Sequence, residues 1–298
     1  MTQQPEQTHC GYVAIVGRPN VGKSTLLNNI LGKKISITTP KPQTTRQQIL
    51  GIKTVADTQA IYIDLPGLHR SGKRALNRYM NRIASGALKD VDIILFMVEA
   101  LQWRSDDKWI LEKLTHVECP VLLLVNKVDE VKDKTQLLPF IEELSKQFNF
   151  AEIIPLSAIE GTQVAKLENA LQKYLPANSF VFPVDQITDK SERFLIAEII
   201  REKLMAVLEE EVPYSLTVEI EQLTTTRKVL HVDALIWVEK PGQKPIVIGA
   251  GGVRLKYIGK AARLELQSMF RKKIFLKLFV KVKSNWADDE KFLEKFFN

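Results

Sequence analysis

The stretch that most constrains this chain is Gly17-Arg18-Pro19-Asn20-Val21-Gly22-Lys23-Ser24, a G-x-x-x-x-G-K-S pattern. The apolar run Tyr12–Val16 precedes it and reads as a buried strand. Thr25–Leu31 follows with helical spacing and stops at Gly32. Strand, glycine-rich loop and helix form the context a phosphate-binding loop needs. Glycine lets backbone wrap an anion without a Cβ in the way. The loop N–H groups and the helix N-terminus then face the phosphates. Gly17 to Thr25 are therefore the expected phosphate-binding residues, with Lys23 reaching the outer phosphates and the Ser24 hydroxyl available to Mg²⁺.

The chain has 298 residues, enough for two domains. With 45% hydrophobic and 26% charged residues it reads as an ordinary soluble globular protein. Cys10 and Cys119 are the only cysteines, which suits a reducing compartment and gives no disulfide framework. The polar start carries no apolar signal core, and no run approaches the ~20 apolar residues of a membrane span. Residues 1–10 are expected to be a flexible tail.

Beyond the phosphate loop, Lys33–Gln48 is rich in Thr, Pro, Lys and Gln and reads as a long exposed loop. Ile49–Val55 and Thr58–Leu65 read as a hairpin. Apolar runs at Val91–Val98, Val121–Val125 and Ile153–Leu156 then alternate with helical patterns at Arg74–Leu88, Asp106–Leu114, Thr135–Phe148 and Val164–Leu175. This order predicts an α/β fold, a mostly parallel sheet with helices on both faces, whose ligands sit at the carboxyl ends of strands.

Polar motifs follow the apolar runs. Asp64-Leu65-Pro66-Gly67 offers a carboxylate for Mg²⁺ and a Gly67 N–H for a γ-phosphate. Asn126-Lys127-Val128-Asp129 is more specific. A carboxylate placed like Asp129 accepts from both N1–H and the 2-amino group of guanine, whereas adenine would leave it unpaired. Asn126 and the Lys127 stem can brace that loop and cover the base. Ser157-Ala158 fits a backbone contact to the base carbonyl.

Together these motifs resemble the P-loop GTPases. G-R-P-N-V-G-K-S, Gln43-Thr44-Thr45-Arg46 and D-L-P-G-L are similar, more narrowly, to the TrmE–Era branch. The resemblance implies Mg²⁺-dependent GTP hydrolysis over residues 11–178. A Thr of the first switch would ligate the metal, and Thr45, directly before the Arg, is chosen over Thr44. The metal set is Ser24, Thr45 and Asp64. The catalytic set is Lys23, Thr45 and Gly67. Leu68 stands where Ras-like enzymes carry a water-orienting Gln, so no side-chain base is assigned, and His69 is read as an exposed switch residue. Leu65 replaces the branch's usual Thr. Relatives use Asn at the Asn20 position to help bind K⁺, which makes Asn20 a K⁺ candidate alongside its role in shaping the loop.

Pro176–Ser179 and Pro183 break the pattern, placing a linker at 179–193. The remainder, 194–298, contains Gly249-Ala250-Gly251-Gly252 inside Ile246–Ile258, a match to the I-I-G-x-x-G-x-x-I-K-x-I of KH domains with Leu255 at one Ile position. The element order resembles a smaller α+β type II KH domain, ending in a helix over Trp286–Phe297. Such a loop grips a single nucleic-acid strand through its phosphates. Its middle residues are not basic here, so Arg254, Lys256 and Lys260 are the nearby cations. From Lys240 to Lys283 twelve Lys and Arg residues face one acid, Glu265, a net +11 that the whole-chain +7 conceals. That is the footprint of a nucleic-acid partner.

The combined resemblance covers nearly the whole chain. It implies a monomeric, slow GTPase that binds GTP and GDP. Its KH domain would bind the 3′ end of 16S rRNA and serve 30S ribosomal subunit maturation, in the cytoplasm with some contact at the inner membrane. Two other readings stay open: a nucleotide-gated RNA-binding scaffold with incidental hydrolysis, and a peripheral membrane GTPase using the basic patch as an anchor.

Overall fold

The structure, a computed structural model, describes residues 7–67, 74–226 and 228–297. Leu68 and His69 lie outside them. Two compact units result. The first takes the chain up to Ser36, resumes at Pro42 and includes Asn77–Asp189. The second takes Ile37–Lys41, the residues leading into Leu76, and Lys190 onward.

The first unit is built on a six-stranded sheet: β1 (His9–Val16), β2 (Ile49–Val55), β3 (Thr58–Asp64), β4 (Ile93–Glu99), β5 (Val121–Asn126) and β6 (Glu152–Pro155). The order is β2-β3-β1-β4-β5-β6. Only β2 runs antiparallel. The helices are α1 (Lys23–Leu31), α2 (Ala75–Ala87), α3 (Ser105–Leu114), α4 (Leu137–Ser145) and α5 (Val164–Gln172). Central strands covered on both faces must be apolar throughout, and β4 and β5 are: Ile93–Val98 and Val121–Val125 are all buried. β1 begins at His9, inside the segment expected to be a tail, because its amides pair with Asp57 O and Pro176 O. The turn between β2 and β3 is Ala56-Asp57, with Ala56 at φ 51°.

Residues 180–189 lie along the outer edge of this sheet. Ile52 N–H donates to Ile187 O (2.7 Å), and Leu50 N–H donates to Asp189 Oδ1 (3.0 Å). Gln59 Oε1 accepts from the Val181 and Phe182 amides (2.9 and 3.0 Å). The segment thus covers the free edge of β2, which otherwise exposes unpaired backbone.

The second unit comprises α6 (Glu192–Val207), β7 (Leu216–Thr225), β8 (Val229–Val238), α7 (Gln243–Ile248), α8 (Val253–Phe270), β9 (Lys273–Val282) and α9 (Glu290–Phe297). The sheet order is β7-β8-β9, antiparallel then parallel. α6 and α8 cover one face, burying Ile199, Ile200, Leu204, Ile258, Ala262 and Leu266 against Val232, Ala234 and Ile236. α8 begins at Val253, directly after Gly252, so the glycine loop itself starts the helix. Ile37 joins this core, 2% exposed. The loop over Lys33–Gln48 is therefore not exposed throughout: Ile35, Ser36, Ile37, Thr45 and Arg46 are buried. No helix among the described residues is long and apolar enough to cross a membrane.

Trp286 is fully buried. Its Nε1–H donates to Ser215 O (3.0 Å), and its ring packs on Phe292 (centroids 6.0 Å). Trp286→Ala removes both the packing and the hydrogen bond. It should destabilise the second unit by about 3–5 kcal/mol, read by urea unfolding; a loss below ~1 kcal/mol would show that the site collapses around the cavity.

Candidate functional site

The carboxyl ends of β1, β3, β5 and β6 bring the sequence motifs together. After β1 the phosphate loop turns sharply. Gly22 has φ 107°, and a Cβ there would lie 2.3 Å from Asn126 Nδ2. Only glycine therefore lets the loop approach Asn126 this closely. Asn126 Nδ2–H in turn donates to Val21 O at 2.6 Å, while Asn126 Oδ1 accepts from the Ala158 amide at 2.9 Å. Asn126 thus joins the loops after β1, β5 and β6. The Ala158 N–H of the Ser157-Ala158 pair is engaged by this brace. Ser157 is buried, and its Oγ accepts from the Glu160 amide (3.2 Å).

Lys23 lies in the first turn of α1, buried, with Nζ donating to Gly17 O (3.0 Å) and Arg18 O (3.1 Å). Burial pushes its ammonium down to about 8; the Asp64 carboxylate opposes the shift and Arg18 adds to it. The Arg18 guanidinium is not directed to a phosphate. Nε pairs with Asp107 Oδ2 (3.2 Å) and Nη2 with Glu99 Oε2 (2.9 Å). Glu99 also pairs with Lys127 Nζ at 3.4 Å. Asn20 is exposed at φ 63°, and Thr25 is half-buried.

Asp64, at the end of β3, is fully buried. Its Oδ2 accepts from Ser24 Oγ (2.6 Å), Ser36 Oγ (2.8 Å) and Thr45 Oγ1 (3.4 Å). The Ser24 and Thr45 hydroxyls are 2.9 Å apart. Asp64 Oδ1 is buried with no hydrogen-bond partner. Burial pushes this carboxyl up, opposed by the Ser24 hydroxyl and Lys23. One carboxylate among hydroxyls is a hard-oxygen donor set of the kind Mg²⁺ takes. The unpartnered Oδ1 leaves an acceptor for the metal or its water, so Ser24, Thr45 and Asp64 fit the ion. Ser36 was not legible from sequence. Asn28 Oδ1 places it by accepting from the Ile35 and Ser36 amides (2.9 and 3.1 Å).

Leu65 and Pro66 are buried. Gly67 packs on the phosphate loop, where a Cβ would come within 2.9 Å of Pro19 Cγ. Gln43 and Thr44 are half-buried in the loop between α1 and β2. Asp129 follows Lys127, which adopts φ 66°. Asp129 Oδ1 is buried without a hydrogen-bond partner, a carboxylate oxygen that guanine N–H groups can satisfy.

In the second unit, Gly249 (φ 76°), Gly251 (φ 58°) and Gly252 (φ 78°) form a short turn joining α7 to α8. A Cβ on Gly249 would lie 2.7 Å from Arg254 Cβ. Ala250, Arg254, Lys256 and Lys260 are exposed around the turn, and Arg254 Nη1–H donates to Ile246 O.

Two outcomes follow from this geometry. Bound phosphates favour charged Lys23, so at pH 8 nucleotide binding should take up about half a proton, falling towards zero near pH 6. Calorimetry in buffers of different ionisation enthalpy reads this, and no uptake at pH 8 contradicts the buried, shifted ammonium. Gly22→Ala should weaken nucleotide binding at least ~10-fold, or ~1.4 kcal/mol, by displacing Asn126.

Residues 12–127 match a family described as 50S ribosome-binding GTPase, and residues 211–287 match the KH domain. A GTPase Era of Coxiella burnetii is 55% identical over 288 residues, 97% of each chain. One from Pseudomonas aeruginosa is 54% identical over 97% of this chain and 95% of its own. The crystal structure of an Era in complex with MgGDPNP and nucleotides 1506–1542 of 16S ribosomal RNA superposes with TM-score 0.94 at 41% identity, covering 97% of this chain and 98% of that one. An Aquifex aeolicus Era variant bound to GDP and AlF4⁻ gives TM-score 0.94 at 40% identity, covering 97% and 99%. The chain belongs to the GTPase Era family, a P-loop GTPase domain followed by a KH domain.

Proposed function

We propose that this GTPase is a nucleotide-driven switch that binds the 3′ end of 16S rRNA through its KH unit and acts in maturation of the 30S subunit. The carrying observation is the path of the first switch. Ile37–Lys41 belongs to the second unit: Ile37 lies in its core, the Thr38 amide donates to Glu202 Oε1 (3.0 Å), and Lys41 Nζ donates to Met205 O (2.7 Å) and Leu208 O near the end of α6. Thr45, four residues on, lies at the Asp64 cluster. Four peptide steps span at most ~14 Å, so fixing Thr45 strains or relaxes the strap within a few residues.

Asp129 selects guanine, Asn126 and Lys127 hold its loop, and Ser24, Thr45 and Asp64 would hold Mg²⁺. The metal offsets charge on the outer phosphates when bound. Water attacks the γ-phosphorus in line. The bond to the β–γ bridging oxygen breaks, GDP leaves with that oxygen, and the water proton goes to the released phosphate. Lys23 and the loop amides, with Gly67 N–H, meet the developing charge. Asn20 would help hold K⁺, whose charge would offset the negative charge that builds up as GDP departs. The glycine turn at 249–252 takes RNA phosphates, with Arg254, Lys256 and Lys260 supplying charge. The protein acts as a monomer in the cytoplasm, with peripheral contact at the inner membrane.

RNA affinity should differ at least ~5-fold, or ~1 kcal/mol, between GTP-analogue and GDP forms; equal affinities defeat the gating. Asp129→Asn should lower GTP affinity ~10- to 100-fold, and retained guanine preference would remove its role. Hydrolysis should be faster in KCl than in NaCl, equal rates ruling out K⁺ at Asn20.

A further inference from the structure

β9 reads Lys273-Ile274-Phe275-Leu276-Lys277-Leu278-Phe279-Val280-Lys281-Val282. Its inward residues behave as a core strand should: Ile274 and Val280 are buried, and Leu276 and Leu278 pack against the same cluster. The outward set, Lys273, Phe275, Lys277, Phe279 and Lys281, is exposed without exception. Phe275 is 49% and Phe279 45% exposed. Strand pleating puts these five side chains on one face. β9 therefore presents alternating cation and aromatic ring on its outward side.

The neighbouring strand extends the surface. In register, His231 sits beside Phe275, Asp233 beside Lys277, Leu235 beside Phe279 and Trp237 beside Lys281. The His231 and Phe275 rings are 5.5 Å apart, and Lys277 Nζ lies 5.5 Å from the Phe275 centroid. Phe292 of α9 meets Trp237 edge-on at 6.3 Å and covers that end of the face. The acids here are Asp233, Glu219, which accepts from Trp237 Nε1–H (2.9 Å), and Glu221, 4.0 Å from Lys281. β9 itself carries no acid.

We propose that this face is a second platform for single-stranded RNA, with bases stacked on Phe275 and Phe279 and phosphates met by Lys273, Lys277 and Lys281. It rests on the RNA-binding reading above and extends it. Every base has a π-face, so exposed rings set between cations suit a strand read without regard to sequence. The position favours continuity with the glycine turn. β9 is an edge strand, and α7 and α8, which flank that turn, both pack against it. A glycine turn of this kind clamps about four nucleotides. A longer strand leaving it can cross the free edge of β9 onto this face. Phe275 and Phe279 lie roughly 13 Å apart along the strand, room for further nucleotides.

The test compares a 12-nucleotide RNA from the 16S 3′ end with five-nucleotide RNAs tiled across it, by fluorescence anisotropy on the full chain loaded with a GTP analogue. The wild type should bind the 12-mer at least ~10-fold tighter than its best 5-mer. A Phe275→Leu, Phe279→Leu double variant keeps apolar area but loses stacking. It should lose most of that gain and bind the 5-mer unchanged, whereas Phe275→Tyr, Phe279→Trp should retain the gain. Lys277→Gln should flatten the salt dependence of 12-mer binding and leave that of the 5-mer alone. Equal behaviour of the Leu variant and wild type on both RNAs overturns the platform while leaving the glycine-turn site standing. Wild type that binds neither RNA overturns both. Undiminished 12-mer affinity with lost binding to 30S subunits assigns the face to a ribosomal protein and also overturns the proposal.

Discussion

Everything in the first unit converges on one buried carboxylate. Asp64 gathers hydroxyls from the helix after the phosphate loop, from Ser36 and from Thr45, while Lys23 lies close enough to perturb it. A buried carboxylate is stable only when its lone pairs are met. Desolvation weakens the charged forms of both Asp64 and Lys23. The pair is thus held for an anion and a cation that restore the missing interactions.

That arrangement explains the use of a long, irregular loop between α1 and β2. Its first part, Ile37–Lys41, is immobilised in the second unit by an apolar side chain, a carboxylate and helix-end carbonyls. A lysine at a helix C-terminus is favoured by the carbonyl dipoles there. Its last part answers to the cluster at Asp64. The three residues between, Pro42, Gln43 and Thr44, leave little slack. The second unit offers a broad cationic surface, with Arg254, Lys256, Lys260 and the lysines of β9 exposed.

Much of this was legible in the sequence because its motifs are contiguous. The G-x-x-x-x-G-K-S loop, Asn126–Asp129 and the glycine turn each need backbone geometry that few residues tolerate, and their apolar flanks reveal the strands. The strand and helix alternation followed from burial on both sheet faces. What stayed hidden depends on long-range placement. Arg18 reads as a phosphate ligand beside Lys23, yet Asp107 and Glu99, some eighty residues away, turn it aside. Ser36 carries no motif, and its position depends on the Asn28 side chain. Ile37 is one apolar residue in a polar loop, with no periodicity to announce that it belongs to another core. The docking of residues 180–189 rests largely on the Gln59 and Asp189 side chains bonding to backbone far away in sequence, which local patterns do not encode.

The central claim is that occupancy at Asp64 and Thr45 reaches the strap at Ile37–Lys41. Hydrogen exchange of the Thr38 amide tests it directly, since that N–H is held by Glu202. Wild type should show different protection with GDP and with a GTP analogue, at least ~5-fold, and Thr45→Ala should abolish the difference. Identical Thr38 protection in both nucleotide states of the wild type would contradict the account.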